Sequence, residues 1–311
     1  MSMKIKIECW WTKTKDINNR FLKQFVKNED RQKFKFVEKN PDYTIVFGKT
    51  KWEQVETKPI NTFFFSQEPL WSKNEDRENV HNFCDHIFVN DKRLYPNSSK
   101  YIETTVPMLY GSSGEYHKDL QYSWDLNIKE FEYQKNKNIS VVCSNGIYHL
   151  GELEKDGFYS MKYKYRTDFV RNISKNTSID VYGKRWEKNN SNIKGQIWNK
   201  HLGLNDYRFS VALENTVQKN YISEKFWDVV LTNGVPVYYG CNNILDYIDN
   251  DYFIYLNNLS EGDKLDLIKE LNMNGEEIYK KYENKIKELK NIFFNDDKFN
   301  IWNKFKKYIG Q

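Results

Sequence analysis

Cysteine is scarce in this 311-residue chain: Cys9, Cys84, Cys143 and Cys241 are the whole set, and no C-x-x-C pair occurs. A disulfide framework and a cysteine-built zinc site are therefore not expected, and buried free thiols in a reducing compartment are. Proline and glycine are also sparse, at 6 and 14 residues, which excludes collagen-like and low-complexity chains. No stretch approaches 18 apolar residues, and Met1-Ser2-Met3-Lys4 runs straight into alternating residues without an apolar leader core. Neither a signal peptide nor a membrane span is expected. Charge of one sign is not concentrated anywhere: 48 Lys and Arg stand against 43 Asp and Glu, a net +5. A dedicated nucleic-acid binder shows a basic block, so nucleic acid is not an expected partner.

Aromatic side chains are abundant. Phe, Tyr and Trp make up 16% of the residues, far too much apolar bulk for a disordered polymer. A chain of this length has room for two ordinary domains, each with its own core.

The apolar residues come in short runs. Ile5, Ile7 and Cys9 alternate with charged residues, as in a half-buried strand. Thr44–Phe47, Thr62–Ser66 and Ile87–Val89 are continuous runs, which suggests parallel strands covered on both faces. Helices are predicted over Asn18–Lys27 and near Asp76–Phe83. A polar stretch between Tyr122 and Asn138 separates this array from a second one. There, strands are predicted at Ile139–Cys143, Ile179–Tyr182, Phe209–Leu213, Val235–Gly240 and Phe253–Leu256. They alternate with a helix striped by Met161, Tyr165, Phe169 and Ile173, and with another over Ser223–Thr232. Strand–helix alternation repeated twice implies an α/β chain with two Rossmann-like domains facing a cleft. The expected boundaries are 1–136, 137–273 and a basic, helical C-terminal segment at 274–311. Ile301, Trp302, Phe305, Tyr308 and Ile309 stripe that segment beside Lys304, Lys306 and Lys307. Such a helix either packs back onto the protein or lies on a membrane surface.

The most informative segment runs from Glu214 to Lys225. It begins where a strand ends and finishes where a helix starts, the edge at which open α/β sheets bind ligands. Ser223 suits the N-cap. The free N–H groups of the following turn and the Lys225 charge suit a phosphate. Glu224 suits hydroxyl groups, so the pair fits a nucleotide sugar; the same residues also read as a capped helix with an incidental Glu–Lys pair.

The run Glu214-Asn215, then Tyr221-Ile222-Ser223-Glu224-Lys225, then Gly234-Val235-Pro236-Val237-Tyr238-Tyr239-Gly240 resembles the donor-binding signature of the α-1,3-fucosyltransferase family. Ser144-Asn145, Arg166-x-x-Phe169 and Ile179-Asp180-Val181-Tyr182-Gly183 extend the resemblance upstream. Phe63–Glu68 resembles the family's strand ending in a catalytic Glu. Ser223 stands where Thr is usual, and Asn220 where Gly or Asp is common. The resemblance implies a GT-B-like fold, acceptor binding mainly in the first domain and GDP-fucose binding in the second, with inversion at the anomeric carbon. It implies Glu68 as general base; by residues alone Glu68 reads rather as an exposed loop carboxylate. It implies Arg166 and Lys225 beside the diphosphate, with Ser144, Asn145, Glu214, Asn215, Tyr221, Ser223 and Glu224 as further donor-binding residues. Pro69-Leu70-Trp71 would wall the pocket of Glu68.

No metal is required on this reading, and a divalent ion would at most stimulate. The five histidines have no metal-pair spacing. The expected partners are the nucleotide-sugar donor and a glycan acceptor, such as an oligosaccharide, a lipopolysaccharide or another glycoconjugate. The expected location is the cytoplasm, with the C-terminal helix as a peripheral membrane contact. Competing readings are a transferase for another GDP- or UDP-sugar, and a non-catalytic carbohydrate- or nucleic-acid-binding protein on the same fold.

Overall fold

A computed structural model describes residues 2–9, 14–48, 61–69, 72, 77–93, 95–106, 133–146, 154–155, 158–159, 164–188, 190–197 and 200–310. The chain divides into two units, Met1–Ser112 with Phe293–Gln311, and Ser113–Ile292.

The first unit holds strands β1 (Met3–Cys9), β2 (Phe34–Phe36), β3 (Tyr43–Phe47), β4 (Thr62–Phe65), β5 (His86–Val89) and β6 (Tyr101–Glu103), with helices α1 (Thr14–Phe25) and α2 (Arg77–Phe83). All six strands are parallel, in the order β2-β1-β3-β4-β5-β6. The continuous apolar runs are strands buried on both faces: Ile45, Val46, Phe47, Phe63, Phe64 and Phe65 expose at most 1% of their surface. Registered neighbours Phe47, Phe65 and Phe88 stack across β3, β4 and β5. Their ring centroids stand 5.7 and 4.4 Å apart. Sequence reading misses β2 and β6, which have three residues each and no alternation to reveal them.

The second unit holds β7 (Lys137–Val142), the hairpin β8 (Glu154–Lys155) and β9 (Phe158–Tyr159), α3 (Lys164–Asn176), β10 (Asp180–Tyr182) and β11 (Ile193–Gly195). These are followed by β12 (Tyr207–Leu213), α4 (Glu224–Leu231), β13 (Val235–Tyr239) and β14 (Ile254–Tyr255). Its six-stranded sheet is again all parallel, in the order β11-β10-β7-β12-β13-β14. Numbered within this unit, that is 3-2-1-4-5-6, the doubly wound dinucleotide-fold order, whose ligand crevice lies at the carboxyl ends of strands 1 and 4. In this chain those ends are the ends of β7 and β12. Phe169 and Ile173 of α3 are buried as the stripe requires; Met161 lies outside the described residues, as do 122–132 of the polar stretch.

Gly183 closes the Asp-x-Tyr-Gly strand for a steric reason. Its φ is +153°, and a Cβ there would stand 2.1 Å from the carbonyl oxygen of Cys143. All four cysteines are buried thiols, and none is joined in a disulfide.

Helix α5 spans Glu261–Asn295 with a kink at Asn274, and α6 spans Ile301–Tyr308. Helicity thus begins 13 residues before the expected start at 274, because Ser260 accepts from the Asp263 N–H at the first turn. The apolar stripe of α6 packs within the first unit. Trp302 meets Phe34 and Phe21 with ring centroids 4.7 and 6.1 Å away, and Phe305 meets Phe63 at 5.0 Å. Asp30 accepts from Trp302 Nε1 at 2.9 Å and from Lys306 Nζ at 2.7 Å. Burial alone would raise the Asp30 pKa, but these bonds hold it below the ordinary value. Ile301, Trp302 and Phe305 are fully buried, so these three are used inside the protein, while Tyr308 at the end of the stripe is 40% exposed. Among the described residues no helix is long and apolar enough to cross a membrane.

Trp302→Ala is expected to lower the unfolding free energy by about 3–5 kcal/mol, the usual cost of emptying a buried Trp site. Equilibrium denaturant unfolding measures it.

Candidate active site

Nine of the ten sequence-predicted site residues lie in the second unit, and most line the ends of β7 and β12. Residues 143–146 leave β7, and residues 214–223 connect β12 to α4. Glu214 ends the apolar strand and is wholly buried. Its carboxylate accepts from the Ser223 N–H at 2.7 Å, the Ser223 hydroxyl at 2.6 Å and the Tyr238 hydroxyl at 3.3 Å. Burial pushes the Glu214 pKa up, against the opposing pull of Lys225 and Ser223. Gly240 makes room for this carboxyl: a Cβ there would fall 2.3 Å from Glu214 Cγ and 2.6 Å from the Tyr238 hydroxyl.

Ser223 does two jobs with one hydroxyl. While donating to Glu214, it accepts from the Lys225 N–H at 3.3 Å as the N-cap of α4. The connecting segment turns at Asn220, whose φ is +59°; Asn tolerates this left-handed region better than most residues. Its Oδ1 accepts from Asn243 and from the Tyr247 hydroxyl. Tyr221 is buried, and its carbonyl faces the Tyr238 hydroxyl at 3.3 Å.

The cations sit close by. Arg166 projects from α3, donating to Asn215 Oδ1 at 2.5 Å and to Cys143 Sγ at 3.3 Å. Its Nε is buried with no hydrogen-bond partner. Lys225 Nζ lies 3.0 Å from Glu224 Oε1 and 3.9 Å from Glu214 Oε2. Ser144 is exposed, and its hydroxyl accepts from the Lys184 N–H at 3.4 Å. Asn145 is buried, donates to the Arg185 carbonyl at 3.1 Å, and leaves its Oδ1 with no partner.

Three contributors escaped sequence reading: Lys200, Asp228 and Tyr238. Lys200 Nζ contacts Glu224 Oε1 at 3.2 Å and Asp228 Oδ2 at 2.9 Å. Asp228 was legible in principle, since it lies four residues after Glu224 on the same helix face. Lys200 carries no such signal; the fold alone brings it there. Formally, three cations (Arg166, Lys200, Lys225) balance three carboxylates (Glu214, Glu224, Asp228). Burial would raise the Glu224 pKa, but Lys225 and Lys200 overcome it and keep this carboxylate well below its ordinary range. Among the described residues no group of three His, Cys, Asp or Glu side chains is placed to hold a metal.

Glu68 belongs to the first unit, three residues past the fully buried strand β4 and part-exposed. The Ser66 hydroxyl donates to its carbonyl at 3.4 Å. Gln67 beside it is buried, with neither amide atom partnered. Leu70 and Trp71, expected to wall this position, lie outside the described residues, as do His117 and His149.

Residues 159–304 match the model of the C-terminal region of glycosyltransferase family 10, the fucosyltransferases. That stretch, just under half of the chain, is what resembles the family. A protein of Acanthamoeba polyphaga mimivirus named as a fucosyltransferase is 25% identical over 283 residues, 85% of this chain and 42% of its own length. Alpha-(1,3)-fucosyltransferase B of Drosophila melanogaster is 28% identical over 124 residues, 32% of this chain and 28% of that protein. The chain therefore spans less than half the length of these curated relatives. The solved structure of an α1,3-fucosyltransferase with GDP-fucose aligns over 90% of this chain and 81% of that one, with a TM-score of 0.51 and 16% identity. It shares the GT-B-like pair of α/β units. The Arg166, Ser223–Lys225 and Val235–Gly240 elements all fall inside the matched region, whereas Glu68 precedes it.

His201, next to Lys200, makes a pH prediction. Burial, then the Lys200 charge, pushes its pKa from 6.5 down to about 4. The folded state resists protonation that the unfolded chain accepts, so its contribution is complete above about 6.5 and is lost as pH falls toward about 4. His201→Gln is expected to flatten this part of the stability–pH curve, as measured by urea unfolding at stepped pH.

Proposed function

We propose that this chain is a family 10 fucosyltransferase that transfers fucose from GDP-fucose to a glycan hydroxyl with inversion, using Glu68 as general base. The observation that carries the reading is the cluster at the β7 and β12 ends: a capped helix N-terminus beside Arg166 and Lys225, within the segment that matches the fucosyltransferase model. The α-1,3 linkage draws its support from the Drosophila relative and from the solved structural neighbour, by their names.

In this mechanism the acceptor oxygen attacks the fucose anomeric carbon from the face opposite the phosphate. The carbon–oxygen bond to the diphosphate breaks, and GDP leaves with the electron pair. Glu68 takes the acceptor proton as the new bond forms. Negative charge grows on the leaving diphosphate, where Arg166, Lys225 and the positive end of the α4 dipole offset it. Asn215 orients Arg166. Glu224, Ser144 and Asn145 offer polar atoms to ribose or sugar hydroxyls. Tyr221 shapes the pocket wall, and Glu214 acts through Ser223, because its own oxygens are fully engaged. No step calls for a metal. The acceptor is a glycan of the oligosaccharide, lipopolysaccharide or glycoconjugate type, and the cytoplasm is the proposed location.

Thermal-shift and calorimetric titration with GDP, GDP-fucose, GDP-mannose, UDP and UDP-sugars test the donor. Stabilisation by GDP and GDP-fucose is expected; tight binding of UDP but not GDP would sink the fucose assignment. Silence toward every nucleotide, together with salt-sensitive nucleic-acid binding, would favour a non-catalytic protein. Glu68→Gln is expected to reduce transfer to a glycan array by about 100-fold or more while GDP-fucose affinity is kept. Arg166→Ala and Lys225→Ala should each weaken GDP binding by about 1.5–3 kcal/mol, the range for hydrogen bonds to charged groups.

A further inference from the structure

Lys200 stands in a short 3-10 turn, Lys200–Gly203, ahead of β12. Its ammonium group reaches two carboxylates of α4 at once, Glu224 at 3.2 Å and Asp228 at 2.9 Å. The Glu224 oxygen that it touches, Oε1, is also 3.0 Å from Lys225 Nζ. One carboxylate oxygen is thus shared by two ammonium groups. Both carboxylates are largely out of water, with side-chain exposures of 12% for Glu224 and 6% for Asp228.

A diphosphate arriving at the α4 N-terminus competes with Glu224 for Lys225. Were Lys225 the sole counter-charge of Glu224, its departure would strand a buried carboxylate, which is strongly unfavourable. Lys225 would then stay with Glu224, and the diphosphate would lose its partner. A second ammonium on the same oxygen removes this conflict. Resting on the donor-site reading above, we propose that Lys200 is a positioning residue: it holds Glu224 and Asp228 so that Lys225 is released to the diphosphate with neither carboxylate left unpaired.

Lys200 touches no donor atom in this role. It lines, with Arg166, Cys143, Lys225 and Asp228, a cavity of about 20 Å³, room for roughly one water, so the exchange of partners is short-range. Glu214 from β12 and Asp228 from α4 oppose the ionisation of Glu224. Lys200 from the turn and Lys225 from α4 favour it, and neutral His201 adds no charge.

Calorimetric titration of the full chain with GDP across a pH series tests the assignment. Lys200→Met keeps the stem and removes the charge. It is expected to weaken GDP binding about tenfold or more at neutral pH. The gap from the native chain should close toward acid, as Glu224 takes a proton and gives up Lys225. Lys200→Arg should restore both the affinity and the native pH profile. Unchanged affinity in Lys200→Met overturns the proposal, as does a loss that is equal at every pH and not rescued by Arg. Should Lys200→Met fail to fold, Lys200→Gln, which also removes the charge, carries the same comparison: weakened binding with acid recovery supports the role, and unchanged affinity overturns it. A native chain that binds no GDP at any pH removes the donor-site reading itself, an outcome distinct from native binding that Lys200→Met leaves intact.

Discussion

A carboxyl group with no access to water organises the second unit of this protein. Glu214 closes β12, and its two oxygens take three donors, from Ser223 twice and from Tyr238 once. A buried carboxyl without such partners would be costly, so the groups that satisfy it are constrained in turn. Ser223 must place both its N–H and its hydroxyl at Glu214, which fixes where α4 begins. Tyr238 must reach inward from β13, and Gly240 must lack a side chain for the carboxyl to fit. The start of α4, the end of β12 and the end of β13 are tied together through this one group. A helix N-terminus is useful to an anion only if it is held in place, and this is what holds it.

Around that post the charges are evenly matched, three cations against three carboxylates. Pairing is what lets Lys200, Lys225 and Glu224 stay charged in a pocket that is nearly closed to water, because each has an opposite charge within hydrogen-bonding reach. The same pairing shapes ligand binding. An anion entering here would have to draw Lys225 away from a carboxylate already paired with it, whereas Arg166 is held by the neutral Asn215 and Cys143. The arrangement of shared oxygens then matters as much as the count of positive groups, and the global charge of +5 says little about it.

Much of this was legible in the sequence. Continuous apolar runs such as Thr62–Phe65 announced strands buried on both faces, and the Ser223 cap announced the start of α4 almost to the residue. Asn220, which departs from the commoner Gly or Asp, keeps the required backbone because it accepts a positive φ. Short strands escaped. Phe34–Phe36 and Ile193–Gly195 are too brief for any periodicity, and they pair only because neighbouring strands offer an edge. The α6 stripe was open to two readings until Trp302 was seen against Phe34 and Asp30, since an amphipathic pattern does not say what covers it.

The residue types of the site and their local order belong to the sequence by itself: a strand end, a hydroxyl cap, a Glu-Lys pair and a strand closed by glycine. These are short-range features, set by backbone sterics and by apolar alternation. The tertiary structure decided which charges meet. Lys200 is 24 residues from Glu224 along the chain, and Arg166 is 49 from Asn215. No pattern in the intervening residues specifies either contact. They form because parallel strands in the order 3-2-1-4-5-6 deliver their carboxyl ends to one edge, and side chains from distant segments converge where that sheet order reverses.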